Sequence, residues 1–178
     1  EKFINQLPIG SLWSSRTGQF TGLPEHAERL LLDDRLLMVF PEGAKGFGKP
    51  YSERYQLQRF GRGGFVEVAL ETGTPIVPVA VVGSEEIYPK IGQSDAAAKL
   101  LGAPYVPITP TFPLLGPLGL LPLPSRWRIE FLEPVDLSEY GPGASEDRSL
   151  VLDISEQVRG SIQEALYDGL LKRGPAFL

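Results

Sequence analysis

The sequence contains no cysteine and a single histidine, His26, among its 178 residues. The absence of cysteine excludes disulfide scaffolds, cysteine-ligated zinc, iron–sulfur clusters and thiol nucleophiles. His26 is the only obvious general base for work near neutral pH. It stands in the first turn of a predicted helix between Glu25 and Glu28, with no aspartate four residues later. We therefore interpret His26 as a surface residue.

A long apolar helix and a leader peptide are also missing. The chain starts at Glu1 without a charged-then-apolar leader, so no signal peptide is predicted. No charged residue occurs between Lys99 and Arg126, but this stretch has seven prolines from Pro104 to Pro124. Such proline density forbids a membrane-spanning helix, whose backbone groups must bond to one another. The stretch dips into a bilayer surface, lines an acyl-chain groove, or is a loop packed over the core.

Positive charge is scarce overall and unevenly distributed. The 17 Lys and Arg residues face 22 Asp and Glu, a net charge of −5, which argues against a protein that coats nucleic acid. The window 41–65 is nevertheless net +3, whereas residues 130–157 carry eight acids and the single base Arg148. The charge distribution predicts an anion site in the first half and a solvated acidic face in the second.

Hydrophobic periodicity predicts alternating helices and strands. The predicted elements are, in order, a helix from Pro24 to near Asp33–Asp34, a strand at 36–40, a helix from Gly64 to Thr72, a strand from Ile76 to Val82, a strand at 127–131 and a helix from about Ser149 to Lys172. This alternation predicts one α/β domain over 1–178 with a mostly parallel sheet flanked by helices. Ligands bind beyond the carboxyl ends of such strands, and the loop that starts at Pro41 lies there.

The loop after the predicted strand is rich in glycine and lysine. Residues 43–49 reproduce the G-x-x-x-x-G-K part of a phosphate-binding loop, but Pro50 stands where magnesium binding needs a hydroxyl. An anion site with Lys45 and Lys49 and an ordinary glycine-rich turn are equally compatible with this composition. Ser84 lacks the second glycine of a nucleophile elbow, so a serine hydrolase is disfavoured.

Two blocks of sequence resemble one known family. Residues 39–46, Val-Phe-Pro-Glu-Gly-Ala-Lys-Gly, are similar to the F-P-E-G block of the glycerolipid (lysophospholipid) acyltransferase superfamily, and residues 74–83 resemble its P-I-V-P-V block. Ser15-Arg16 followed by Gly18 is a weaker match to a block whose arginine contacts the acceptor. Residues 46–49, 59–62 and 85–88 look most like the branch of the monoacylglycerol and diacylglycerol acyltransferases.

The resemblance implies transfer of a fatty acyl group from acyl-CoA or acyl carrier protein to a glycerol hydroxyl of a lysophospholipid or acylglycerol, without a cofactor or metal. It implies a peripheral enzyme at the cytoplasmic face of an anionic membrane, working in phospholipid and glycerolipid synthesis. The implied acceptor-binding residues are Arg16, Phe40, Pro41, Glu42, Gly43, Ala44, Lys45 and Gly46.

The chain departs from the family at the catalytic pair. The family places a His-x-x-x-x-Asp pair before these blocks, whereas His26 lies after the first of them and is followed by Leu31 at the fifth position. No catalytic residue is therefore assigned, and the catalytic segment is expected before Glu1. A non-catalytic lipid-binding relative of the same fold stays open as the alternative, and a nucleotide-binding phosphate loop is less favoured.

Overall fold

The computed structural model describes residues 16–18, 23–101, 106–141 and 143–177. Its α-helices are α1 (Pro24–Leu32), α2 (Ala44–Phe47), α3 (Gly64–Thr72), α4 (Asp95–Leu101) and α5 (Arg148–Arg173). Its strands are β1 (Val79–Val82), β2 (Gly92–Gln93), β3 (Pro107–Ile108) and β4 (Arg128–Phe131). Short 3-10 turns lie at Tyr51–Glu53, Ser84–Glu86, Gly116–Leu120 and Ala144–Glu146. The predicted helices in the regions of α1, α3 and α5 are confirmed.

Local sequence signals explain where these helices begin and end. Pro24 occupies the first turn of α1, where a missing N–H costs nothing. Gly73, the predicted C-terminal cap of α3, adopts the left-handed conformation with φ of 64°. The Asp147 side chain accepts hydrogen bonds from the backbone N–H groups of Ser149 and Leu150 and so caps α5.

The predicted parallel sheet is wrong for the described residues. The strands form two antiparallel pairs, β1 with β4 and β2 with β3. Within the first pair, Val79 lies opposite Phe131 and Val82 opposite Arg128. The predicted strand 76–82 shortens to β1, although Ile76 forms an isolated bridge with Val135. The chain between β1 and β4 contains α4 and the β2–β3 pair, and it returns so that β4 runs antiparallel to β1.

The predicted strand at 36–40 forms no ladder with the other described residues. The segment has no regular secondary structure, and most of its side chains are exposed, including Leu36 at 100% and Phe40 at 67% of their surface. The apolar run was predicted as a strand covered on both faces. Apolar composition alone does not specify a partner strand, and pairing requires a neighbour in register.

The two faces of the β1–β4 pair are covered unequally. Ala80 and Val82 are buried on the face that α5 covers, and Gly169 of α5 lets the helix approach, because a Cβ there would lie 3.0 Å from Val82 Cγ2. On the other face, Ile129 and Phe131 are 54% and 74% exposed. The alternation predicted for this strand is confirmed, but its apolar side chains lie on the more exposed face.

The core consists of two clusters that α5 joins. The first contains buried side chains from α3, α5 and the segment between β4 and α5, namely Val66, Ala69, Leu137, Val151 and Ile154. The second contains Tyr55, Ala80, Val82 and Leu166. Gly63 allows α3 to start against α5, since its φ is 81° and a Cβ would lie 2.6 Å from Val151 Cγ1.

The proline-rich stretch folds into a closed loop that exposes leucines. Thr111 Oγ1 donates to the carbonyl of Gly119 across the loop, and a Cβ on Gly119 would lie 2.5 Å from the Thr111 carbonyl oxygen. Leu114, Leu115, Leu118 and Leu121 are exposed by 83%, 56%, 67% and 63%. No helix within the described ranges is both long and apolar enough to span a bilayer.

Candidate functional site

The predicted acceptor-binding block forms a tight turn that leads into α2. The N–H of Gly43 donates to the carbonyl of Phe40 at 3.1 Å, and Gly43 has a φ of 58°. Pro41 and Glu42 are half-buried, whereas Phe40 and Lys45 are exposed. The turn therefore places one acidic side chain toward the protein and one basic side chain toward solvent.

Glu42 is held against the loop that follows α2. Its Oε1 accepts a hydrogen bond from the backbone N–H of Gln58 and lies 3.8 Å from Lys49 Nζ. A Cβ on Gly46 would lie 2.7 Å from Glu42 Oε2 and 2.9 Å from Glu42 Cβ. Glycine at position 46 thus leaves the room in which the carboxylate lies. The side chain of Glu42 remains 19% exposed.

Lys49 is buried, contrary to the hypothesis of an exposed anion ligand. Its side chain is only 4% exposed. The Nζ atom donates to the carbonyl of Gln56 at 2.8 Å and to Oε1 of Glu85 at 3.0 Å, and it faces Glu42. These contacts occupy the ammonium donors, so Lys49 does not point outward as the lysine of a phosphate-binding loop does.

Glu85 is a site residue that the sequence analysis did not assign. Its Oε1 accepts from Lys49, and its Oε2 accepts from the backbone N–H of Tyr55 at 3.0 Å. The signal available was the motif at 85–88, which was used only to compare branches of the family. We call Glu42, Lys49 and Glu85 the carboxylate–lysine cluster. Through one ammonium group it joins the turn 39–46 to Glu85, which follows the block 74–83.

Lys45 lines a shallow depression beside the carboxylate–lysine cluster. The depression has a volume of about 250 Å³ and is lined by Lys45, Gly48, Lys49, Pro50, Glu53 and Gln58. A second depression of about 320 Å³, next to Arg59 and Glu156, is lined by none of the predicted site residues. Arg16 is exposed, and Ser15, its neighbour in the predicted block, lies outside the described residues.

A buried ion pair connects Glu86, the neighbour of Glu85 in the sequence, to α5. Arg173 of α5 forms a bidentate pair with Glu86, including a 2.8 Å bond from Nη2 to Oε1, and both side chains are almost fully buried. The hydroxyl of Tyr55 accepts from the N–H of Gly83 at 2.9 Å. Burial raises the pKa of Tyr55 to about 12, so the phenol stays neutral. The segment 83–86 is thereby fixed to α5.

Other candidate chemistries receive no support from the structure. His26 is exposed on α1, as the surface interpretation predicted. Among the described residues, no group of three His, Asp or Glu side chains is arranged to hold a metal ion. The arrangement around Glu42 instead offers a fixed carboxylate next to an exposed ammonium. These groups can accept a hydrogen bond from a hydroxyl and attract an anion.

Comparison with known proteins finds a family match over part of the chain. The acyltransferase family model matches residues 7–82, which include the turn 39–46 and β1. This part of the chain is similar to the acyltransferase family. The match is consistent with the glycerolipid acyltransferase superfamily, and the exposed Lys45 and the half-buried Glu42 both lie in the acyltransferase segment.

Similar proteins extend the likeness beyond the matched segment. Proteins of Mycobacterium bovis and Mycobacterium tuberculosis, described as uncharacterized, are 47% identical over 174 residues, which is 98% of this chain and 49% of theirs. A protein of Mycobacterium leprae is also 47% identical over 98% of this chain and 47% of its own length. The chain spans about half the length of these curated relatives. No solved structure is significantly similar to it.

Proposed function

We propose that the protein takes part in transferring a fatty acyl group from acyl-CoA or acyl carrier protein to a glycerol hydroxyl of a lysophospholipid or acylglycerol. The observation that carries this proposal is the turn 39–46, where Glu42 is fixed by the carboxylate–lysine cluster and Lys45 is exposed beside it. A fixed acceptor of hydrogen bonds next to a cation fits a glycerol hydroxyl next to a polar or phosphorylated head.

In this proposal the turn binds and orients the acceptor. Lys45, with Arg16, holds the phosphate or polar head, while Glu42 and Gly43 shape the site around the glycerol. The glycerol oxygen forms an ester bond with the thioester carbonyl carbon, the carbon–sulfur bond breaks, and the hydroxyl proton ends on the thiol. A general base from outside these 178 residues takes that proton, since the chain contains no His-x-x-x-x-Asp pair.

The acceptor class follows from the cation and from the branch motifs. Lys45 provides a point charge where many family members have an arginine fork, so the site holds phosphate less stringently. The motifs at 46–49 and 85–88 resemble the monoacylglycerol and diacylglycerol acyltransferase branch, and they contribute Lys49 and Glu85 to one cluster. Both features favour an acylglycerol acceptor in glycerolipid synthesis alongside lysophospholipids.

We further propose that the protein acts as a peripheral protein at the cytoplasmic face of an anionic membrane. The net positive window 41–65 supports this, because a basic surface is attracted to anionic lipid headgroups. Lys45, Arg54 and Arg62 in that window are exposed. Vesicle binding that requires anionic lipid and weakens with salt is the expected result.

A second candidate is a lipid-binding relative of the same fold that does not catalyse transfer. Its supporting observation is the missing catalytic pair, since the only histidine, His26, is exposed on α1 and has Leu31 at the fifth position. In this case the turn 39–46 binds the same lipid heads, and no acyl group moves.

One assay tests for acyl transfer. Thiol release from acyl-CoA is followed with lysophosphatidate and monoacylglycerol offered separately, and the absence of cysteine in the chain removes protein thiol background. Acceptor-dependent release supports acyl transfer. Lipid binding without release fits either an acceptor-binding part that lacks its general base or the second candidate, and the presence of an upstream His-x-x-x-x-Asp pair discriminates these two. Absence of both binding and release would refute the site at Glu42 and Lys45.

A further inference from the structure

We propose that the loop 109–124 is a membrane-inserting element whose leucines enter the acyl-chain region of the bilayer. The tip of the loop exposes Leu114, Leu115, Leu118 and Leu121, each by more than half of its surface. Exposed apolar side chains gathered on one small segment mark an interaction site. The proposal rests on the proposed function in taking a lipid surface, rather than another protein, as the occupant.

The backbone of the loop suits an apolar environment because its polar groups bond within the loop. The Leu115 N–H donates to the Thr111 carbonyl at 2.9 Å, and the Leu118 N–H donates to the Leu115 carbonyl at 3.2 Å. Leu121 N–H donates to Leu118 at 3.1 Å, while the Thr111 hydroxyl closes the loop onto Gly119. Inserting this segment therefore leaves few backbone groups to lose water without compensation.

The charges around the loop match an anionic bilayer. No charged residue occurs from 100 to 125, so the whole loop is neutral. The first charge after it is the exposed Arg126, next to Trp127, which is 51% exposed. The base of the loop contacts the segment 87–90, since the Leu123 N–H donates to the carbonyl of Ile87. Lys90 lies at the end of that segment. An apolar tip next to an exposed indole and the exposed Arg126 is the layering of an interfacial anchor.

The same base connects the loop to the candidate acceptor site. Tyr51 N–H donates to the Lys90 carbonyl at 2.8 Å, and Lys90 Nζ donates to the carbonyl of Gly48. Gly48 also lines the depression next to Lys45. Insertion of the leucines thus brings a surface that is hydrogen-bonded to the acceptor loop down to the lipid headgroups. This geometry suits an enzyme whose acceptor resides in the membrane.

The test measures partition of the purified chain onto phosphatidylcholine vesicles with and without phosphatidylglycerol. The double variant Leu114→Ser/Leu118→Ser is compared with the control Leu32→Ser/Leu171→Ser, which changes leucines that are 65% and 85% exposed on α1 and α5. Burying one leucine contributes roughly tenfold or more in partition, so the loop variant is expected to bind about a hundredfold more weakly. The control is expected to bind like the unchanged protein, and all variants to keep their urea midpoint.

A depth measurement excludes a purely electrostatic contact. The chain has no cysteine, so Leu118→Cys and Leu171→Cys each accept a single environment-sensitive fluorophore. On vesicles, the label at 118 is expected to shift to the blue and to be quenched by lipids brominated on their acyl chains, whereas the label at 171 is not.

Three results would overturn the proposal. They are unchanged binding by the loop variant, an unquenched label at 118, and a blue shift that needs only a higher protein concentration without vesicles, which would indicate a second copy of the chain as the occupant. The readout does not involve acyl transfer. Absence of acceptor binding with intact insertion would therefore contradict only the proposed function.

Discussion

The substitutions Lys49→Met and Lys45→Met should have opposite consequences, although the two residues are four positions apart. Lys49 makes two hydrogen bonds of 2.8 and 3.0 Å and faces a second carboxylate at 3.8 Å, with 4% of its side chain exposed. At an effective dielectric of about 20, each ion pair at these distances has roughly 4–6 kcal/mol of gross attraction, most of which desolvation offsets. Glu42 and Glu85 are 19% and 28% exposed, so water partly solvates them after the change.

We expect Lys49→Met to lower the free energy of unfolding by about 2–4 kcal/mol. Methionine keeps the volume of the side chain but leaves the Gln56 carbonyl unpaired and the two carboxylates without their cation. With a slope of roughly 2 kcal/mol/M, the urea midpoint should fall by about 1–2 M. Urea unfolding followed by tryptophan fluorescence measures this shift.

Lys45→Met should leave the free energy of unfolding within about 0.5 kcal/mol of the unchanged protein, since Lys45 is exposed. It should instead weaken lysophosphatidate binding by about 10- to 100-fold, because a charged hydrogen bond to phosphate contributes roughly 1.5–3 kcal/mol. Monoacylglycerol, which has no phosphate, should lose less. Equal stability of the two variants, or an unfolding midpoint unchanged by Lys49→Met, would refute the assignment of Lys49 to structure and Lys45 to binding.

Three further changes test the supports of the site. Glu86→Gln leaves the guanidinium of Arg173 buried without its counter-charge and should cost about 3–5 kcal/mol in urea unfolding, and a loss below 1 kcal/mol would contradict this. The pKa of Tyr55 is raised to about 12 in the folded protein, so the neutral phenol contributes fully to stability below pH 10 and this contribution is lost as the pH rises toward 12. The melting temperature should therefore fall over this pH range, and Tyr55→Phe should reduce that fall. Gly46→Ala should displace Glu42 and lower the free energy of unfolding by about 1–3 kcal/mol. An unchanged melting temperature would contradict this, because it would show that the turn accommodates the methyl group.

The helices could be predicted from sequence because their signals are local. Pro24 and Gly73 mark helix ends by their own backbone preferences, and both occur where expected. The sheet could not be predicted in the same way. Alternation in 127–131 correctly gave a strand with one apolar face, but neither its antiparallel partner β1 nor which face α5 covers is encoded within the strand itself.

The position of the candidate site stays a prediction from the sequence, and the structure separates the roles of its two lysines. Lys45 and Lys49 are the same residue type, and both stand next to glycine in the sequence. Their burial differs because Gln56 and Glu85, which lie 7 and 36 residues from Lys49, fold onto its ammonium group. Interactions at such separations are set by tertiary packing. The contacts of Glu85 could not be predicted for the same reason, since a glutamate after a strand is usually a solvated residue.

The structure also changes what a substitution at Glu42 measures. The location of Glu42 in a loop suggests that Glu42→Ala removes a substrate contact without affecting the fold. However, Glu42 Oε1 accepts the backbone N–H of Gln58, so alanine leaves that donor unpaired and should cost about 1–3 kcal/mol. Glu42→Gln is the informative change, because its amide oxygen can still accept from Gln58 while the negative charge is lost.

We therefore expect Glu42→Gln to be more stable than Glu42→Ala by at least 1 kcal/mol in urea unfolding, and both to bind monoacylglycerol more weakly. The exposed 19% of the Glu42 side chain is the part available to a glycerol hydroxyl. If Glu42→Gln keeps both its stability and its full affinity for the acceptor, the carboxylate serves only to hold the loop. Equal instability of the two variants would instead show that the charge facing Lys49, rather than the bond from Gln58, fixes the turn.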